Sequence, residues 1–300
     1  DILRLWVAQS DYTVDLRIGK EILKGVADSY RRLRNTMRFL LGNLAGFDEA
    51  ERVAVAEMPE LERWVLHRLA ELDAEVREGY AKYDFQGVFQ KLFAFCTTDL
   101  SSIYFDIRKD ALYCDAPGSL RRRAARTVLD LIFHRLTTWL APILVFTMED
   151  VWLSRFAGEG ESVHLRDIPE TPSAWLNHAL SVKWDRIRAV RRVVTGALEV
   201  QRVAKVIGAS LEAAPVVHVD AATAELLTGV DFADLCITSG IAVVTEAAPE
   251  GAFTLPEVAG VAVVFRAAEG AKCERCWQVL PDVGTHAHPG TCARCDAALS

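Results

Sequence analysis

The sequence lacks an excess of basic charge. Its 34 lysines and arginines are outnumbered by 41 acidic residues, giving a net charge of -7 and a pI near 5.6. A protein that holds nucleic acid by bulk electrostatics is excluded on that ground, and only local basic faces remain open. A disulfide framework is also missing: Cys96, Cys114 and Cys236 stand singly, which fits a reducing cytoplasm. No hydrophobic run is long enough to cross a bilayer, because the most apolar window, Leu131 to Phe146, is interrupted by His134, Arg135 and Pro142. Nor is there a secretory signal pattern. There is no Gly-rich phosphate loop, no G-x-S-x-G elbow and no H-E-x-x-H pair. The histidines, His67, His134, His164, His178, His218, His286 and His288, are scattered and read as surface or packing residues, so no catalytic residue is expected. The first residue is Asp1, opening directly into an amphipathic segment, which reads as a piece of something longer.

Against these absences stands one dense cluster. Cys273-Glu274-Arg275-Cys276-Trp277 is answered by Cys292-Ala293-Arg294-Cys295, with fifteen residues between Cys276 and Cys292. Two C-x-x-C knuckles at this spacing have the pattern of a zinc ribbon, in which four thiolates close a tetrahedral shell. A closed shell leaves no position for water, so the expected zinc is structural and not a Lewis acid. His286 and His288 are weaker candidate ligands beside four thiolates. The tail is too short to bury a core of its own, and metal binding would supply roughly 10 kcal/mol or more of its folding free energy. It is therefore expected to be an appended module. Its charges nearly cancel, so any contact with nucleic acid would run through specific side chains such as Arg275 and Trp277.

Composition elsewhere is that of an ordinary globular protein, with 51% apolar and 25% charged residues. A long helix is predicted from about Gly19 to Leu44, with Ile22, Val26, Tyr30, Leu33, Met37, Leu40 and Leu44 on its inner face. The same period gathers Arg31, Arg34, Asn35 and Arg38 on the far side with no carboxylate interleaved at that edge, the look of a phosphate-facing surface. A second helix follows Pro59, its outer side reading as scaffold, and a third is predicted over Asp84 to Arg108. The fourth starts at the N-cap Ser119 and ends at Leu140. Its first turns carry Arg121, Arg122, Arg123 and Arg126, to be matched either by an acidic loop from Asp106 to Asp115 or by an external anion. Thr147-Met-Glu-Asp150 resembles a capping box, and another helix is expected from about Pro172 to Lys205.

Four such helices with short connections make a helical bundle. Short β-branched runs follow at Val216 to Val219, Ile241 to Val244 and Val258 to Phe265, with a helical stretch around Ala221 to Leu227 between the first two. The expected architecture is mainly α: a helical bundle, then a small α/β module, then the zinc ribbon.

Several segments carry a resemblance. Asp1-Ile-Leu-Arg-Leu-Trp-Val-Ala-Gln-Ser-Asp-Tyr12, Arg34-Asn-Thr-Met-Arg-Phe-Leu-Leu-Gly-Asn43, Tyr104-Phe-Asp-Ile-Arg-Lys-Asp110, Leu140-Ala-Pro-Ile-Leu144, Ala204-Lys-Val-Ile-Gly-Ala-Ser-Leu-Glu212 and the Cys273-to-Cys295 ribbon resemble the C-terminal part of bacterial isoleucyl-tRNA synthetases. The bundle motifs are shared with valyl and leucyl enzymes, and the Cys-Glu-Arg-Cys-Trp ribbon points to the isoleucine member. A related ribbon ends certain DNA glycosylases. The resemblance implies a stem-contact segment over 1–18, an anticodon-binding bundle over 19–171, a junction domain over 172–268 and a zinc-binding tail over 269–300. It further implies isoleucine tRNA as partner, zinc as the resident metal, and ATP and Mg²⁺ for the catalytic part of the longer enzyme. Neither DNA nor a membrane is an expected partner, and a monomer is expected. The alternatives are the equivalent piece of a valyl- or leucyl-type enzyme, or a non-enzymatic zinc scaffold that binds protein.

Overall fold

A computed structural model describes residues 1–300. The chain forms two compact units, one of Asp1–Arg108 with Gly118–Asn177, the other of Lys109–Pro117 with His178–Ser300.

The first unit is helical: α1 (Ile2–Gln9), α2 (Lys20–Leu44), α3 (Glu60–Ala81), α4 (Phe85–Ala94), α6 (Leu120–Leu140) and α7 (Val145–Leu153), with α5 (Asp106–Cys114) passing from this unit into the second. Helix α2 packs on α1 and α6, and α3 packs on α4 and α6. Val26, Leu33, Met37, Leu40 and Leu44 of α2 are buried as their spacing demands. Ile22 is not: it is 43% exposed, in a first turn and a half of α2 where every residue but the half-buried Leu23 is exposed. The bulk of the core comes from Trp64, Trp139, Phe133 and the leucines of α2 and α3.

Three local expectations are corrected. The helix predicted to stop at Arg108 runs on: α4 continues as a π-helical stretch, Phe95–Phe105, and then as α5 to Cys114, so the supposed acidic loop after Asp106 is helix. Ser102 Oγ donates to Thr97 O, five residues back, at 2.8 Å, matching the wider π turn. Of the arginines opening α6, Arg123 and Arg126 turn not to that acidic segment but to the connection after α2. Arg123 Nε donates to Glu51 O at 3.1 Å, Arg126 Nη2 donates to Ala45 O at 2.9 Å, and Arg126 pairs with the Glu51 carboxylate at 3.0 Å. They fasten the connection after α2. Thr147 does not open α7 with its own capping box; its backbone N–H donates to the Asp1 carboxylate at 2.7 Å, a cap supplied from the other end of the unit.

The outer side of α3, read as scaffold, hides an ion pair. Glu62 is fully buried, and Arg108 Nε and Nη2 reach its two carboxylate oxygens at 2.6 and 2.7 Å. Tyr104 donates its hydroxyl to the same carboxylate at 3.2 Å. A bidentate guanidinium with an added hydroxyl satisfies a carboxylate that would otherwise be very costly to bury.

In the second unit α8 spans His178–Val203, shorter at its start than the predicted Pro172. It lays Val190, Val193, Val194 and Ala197 against β3 (Val261–Val264). The sheet order is β2-β1-β3, where β1 (Val216–Val219) runs parallel to β2 (Ala242–Val244) and antiparallel to β3. The parallel step is made through α9 (Ala221–Leu227) and α10 (Phe232–Cys236), as a crossover requires. Two of the α8 arginines serve this packing: Arg186 donates to Thr223 Oγ1 at 2.9 Å and Arg191 to Leu235 O at 2.6 Å. A hairpin of β4 (Ala271–Lys272) and β5 (Val279–Leu280) and the final α11 (Ala293–Leu299) complete the unit. Gly270 opens the hairpin at φ +117, and a Cβ there would lie 2.2 Å from the Leu280 backbone, so only glycine fits. No helix is long and apolar enough to cross a membrane.

Candidate metal centre and nucleic-acid interface

The first knuckle is the turn after β4. Trp277 N–H donates to Cys273 O at 2.9 Å, and Trp277 takes a left-handed conformation, φ +66, that turns the chain back into β5. The second knuckle is the start of α11, with Cys292 at its N-cap. All four cysteines are buried, and their sulfurs lie within 4.8 Å of one another, Cys276 and Cys292 at 3.8 Å. A tetrahedral site with Zn–S of about 2.3 Å needs S···S of about 3.8 Å, so the donor set fits a zinc ion in type, number and spacing. Cys292 N–H donates to Cys273 Sγ at 3.4 Å. Burial opposes ionisation of Cys273, but backbone N–H donors from Cys276, Cys292 and Arg275 outweigh it and bring this thiol down to about 6. Burial pushes Cys276 up, with the neighbouring sulfurs adding to it, and raises Cys295 to about 11. Four packed thiols resist sharing four negative charges, and a dication supplies what they lack. His286 and His288 are occupied elsewhere, on Asp282 at 3.0 Å and Asp296 at 2.7 Å.

The ribbon is not a free appendage. Arg294, between the two cysteines of the second knuckle, pairs with Asp110 at 2.7 Å and with Asp115 at 2.8 Å. Arg275, expected to face RNA, is half-buried and donates to the carbonyls of Cys114 and, at 3.4 Å, Tyr113. Those carbonyls belong to the last turn of α5, where backbone acceptors lack helical partners and a cation is favoured. Cys114, scattered on its own in the sequence, packs beside the four knuckle cysteines with Leu280 and Val283. Nothing in the local sequence of the tail points to these partners, which lie more than 160 positions away.

Trp277 is 61% exposed, and Lys272 Nζ stands 5.6 Å from its ring centroid. On α2, Arg31, Arg34, Asn35 and Arg38 are all exposed on one face. The expectation that no carboxylate enters that edge is corrected at Arg31, which pairs with Asp28 at 2.6 Å. Both partners are more than half exposed, and such a pair holds its arginine only weakly.

Comparison with known proteins agrees with this layout. Residues 62–218 match the family described as the anticodon-binding domain of tRNA ligase, and residues 270–298 match a zinc finger found in FPG and IleRS. The chain is 69% identical to the isoleucine–tRNA ligase of Ruegeria pomeroyi and 55% identical to that of Brucella abortus, in each case across 100% of this chain and 31% of the relative. The corresponding ligase of Caulobacter vibrioides is 52% identical over 95% of this chain and 29% of its own length. The chain thus spans about a third of the relatives it matches. With a family match that covers more than half of its residues, mainly helical architecture and a cysteine ribbon in its tail, the chain belongs to the anticodon-binding family of tRNA ligases.

Proposed function

We propose that this chain is the tRNA-recognising part of an isoleucine–tRNA ligase. The complete enzyme would attach isoleucine to its tRNA using ATP and Mg²⁺, with the catalytic and editing residues outside these 300 positions. The observation that carries the reading is the family match over residues 62–218 in a chain similar along its whole length to isoleucine–tRNA ligases. Residues 1–18 would contact the tRNA stem, 19–171 the anticodon arm, 172–268 would act as a junction, and 269–300 would hold one zinc through Cys273, Cys276, Cys292 and Cys295. The protein would act as a cytoplasmic monomer.

Arg31, Arg34, Asn35 and Arg38 would hold tRNA phosphates and sugars, a role that exposed donors on one helix face suit. Changing Arg34 or Arg38 to Ala should weaken binding of isoleucine tRNA and reduce the magnitude of the logarithmic salt slope by about one unit for each phosphate left without its cation. Filter binding across a salt series measures both quantities. Unchanged affinity and slope in both variants would make this an ordinary solvated face.

Trp277 would stack on an unpaired base, the usual way single-stranded RNA is gripped. Trp277→Ala should keep full zinc content and weaken tRNA binding by about ten- to a hundred-fold. Zinc loss in the variant, or binding that stays intact, would return Trp277 to a structural role. Arg275, whose guanidinium is engaged by α5, is assigned to orienting this knuckle instead of touching RNA.

A further inference from the structure

The bonds between the ribbon and the end of α5 have a second effect on the surface. Leu112 and Cys114 are buried, and Tyr113 between them is turned outward, 56% exposed. Lys109, exposed one helical turn earlier, shares its face. Arg275 grips the carbonyl of Tyr113 and lies two positions before Trp277, so one side chain ties together the backbone segments that carry two exposed aromatic rings. Arg294, bridged to Asp110 and Asp115, fixes the same turn from the second knuckle and neutralises the carboxylates flanking it. Cys114 Sγ, 3.5 Å from Arg275 O, closes the seam.

We propose that Tyr113 is a second stacking platform beside Trp277, and that the two rings, flanked by Lys109 and Lys272, form a site for unpaired RNA bases. The inference rests on the tRNA-binding reading above and extends it to a residue outside the ribbon. Two exposed rings, Trp277 with the Lys272 ammonium 5.6 Å from its centroid and Tyr113 one helical turn after Lys109, suit a strand of bases with its phosphates alongside, because the π-faces accept any base and a nearby cation offsets backbone charge. A protein ligand needs a continuous apolar surface, and the sequence neighbours of these rings include the exposed charged residues Lys109, Lys272 and Glu274. Arg275 and Arg294 are positioning residues for this site. They set where Tyr113 stands relative to Trp277 and need not touch RNA.

The test uses the full 300-residue chain and an RNA hairpin carrying the anticodon loop of an isoleucine tRNA, with 2-aminopurine placed in the loop in turn. Tyr113→Leu keeps apolar bulk but removes the ring, and Tyr113→Phe keeps the ring. The expected result is that Tyr113→Leu weakens hairpin binding about ten-fold, loses part of the stacking quench of 2-aminopurine and retains one zinc per chain, while Tyr113→Phe binds as the parent does. Wild-type affinity and quenching in Tyr113→Leu would overturn the proposal. If Trp277→Ala or the α2 arginine variants still weaken binding in that case, the tRNA reading survives without Tyr113; if none of them does, that reading fails as well. Equal weakening by Tyr113→Leu and Tyr113→Phe would also overturn it, since a ring that remains cannot then be what binds.

Discussion

Cys292→Ser is expected to abolish metal binding and unfold the ribbon while most of the helical signal stays. Removing one of four thiolates leaves an open shell, and structural zinc contributes on the order of 10 kcal/mol or more to folding of such small modules. The apolar cluster under the hairpin β4–β5 and the short α11 consists of cysteines with Leu280 and Val283, too small a core to fold the ribbon without metal. The damage does not end at residue 269. Arg275 and Arg294 are carried by the knuckles, and without a folded ribbon their holds on the Tyr113 and Cys114 carbonyls and on Asp110 and Asp115 go too. Residues 109–117 should therefore become less protected against hydrogen exchange together with the ribbon. The unit of Asp1–Arg108 with Gly118–Asn177 has its own core around Trp64, Phe133 and Trp139 and should remain folded. Elemental analysis, exchange mass spectrometry and circular dichroism on one sample separate these effects. Retained zinc would contradict the four-ligand assignment, and a global loss of helix would contradict the independence of the first unit.

Arg108→Ala is expected to cost about 3–5 kcal/mol, the range seen when one partner of a buried pair is removed. Glu62 is fully buried and takes both of its guanidinium hydrogen bonds from Arg108, so truncation leaves a carboxylate with only the Tyr104 hydroxyl. The penalty is the stranded charge far more than the missing attraction. Replacing the pair together, Glu62→Leu with Arg108→Met, removes that charge and should recover most of the stability, since apolar groups of similar volume often substitute for buried ion pairs at little cost. Urea unfolding of the single and double variants measures this directly. A destabilisation below about 1 kcal/mol for Arg108→Ala would mean that water reaches Glu62 in the native state.

Much of the site was legible because its chemistry is local. Four cysteines at ribbon spacing specify a metal shell whatever surrounds them, since each knuckle is a turn of four residues. The α2 period put Val26, Leu33, Met37, Leu40 and Leu44 inside, and Arg34 and Arg38 outside, because a helix repeats every 3.6 residues wherever it lies. The β1 limits and the Ser119 cap followed in the same way from residues within a few positions of one another.

What the sequence could not decide was the partner of each long polar side chain. Arg123 and Arg126 turned to the Ala45–Glu51 connection, Asp1 capped α7, Glu62 met Arg108, and Arg275 reached the carbonyls at the end of α5. An arginine reaches several ångströms in any direction, and its local pattern is the same whether a carbonyl, a carboxylate or a phosphate lies at the end. The sequence by itself determined the helical class, the four-cysteine cluster and the exposed faces, which depend on backbone period and short spacing. Only the tertiary structure decided which cations are spent on the fold and which stay on the surface, because hydrogen bonds between residues dozens of positions apart or more exist only once the chain has closed on itself.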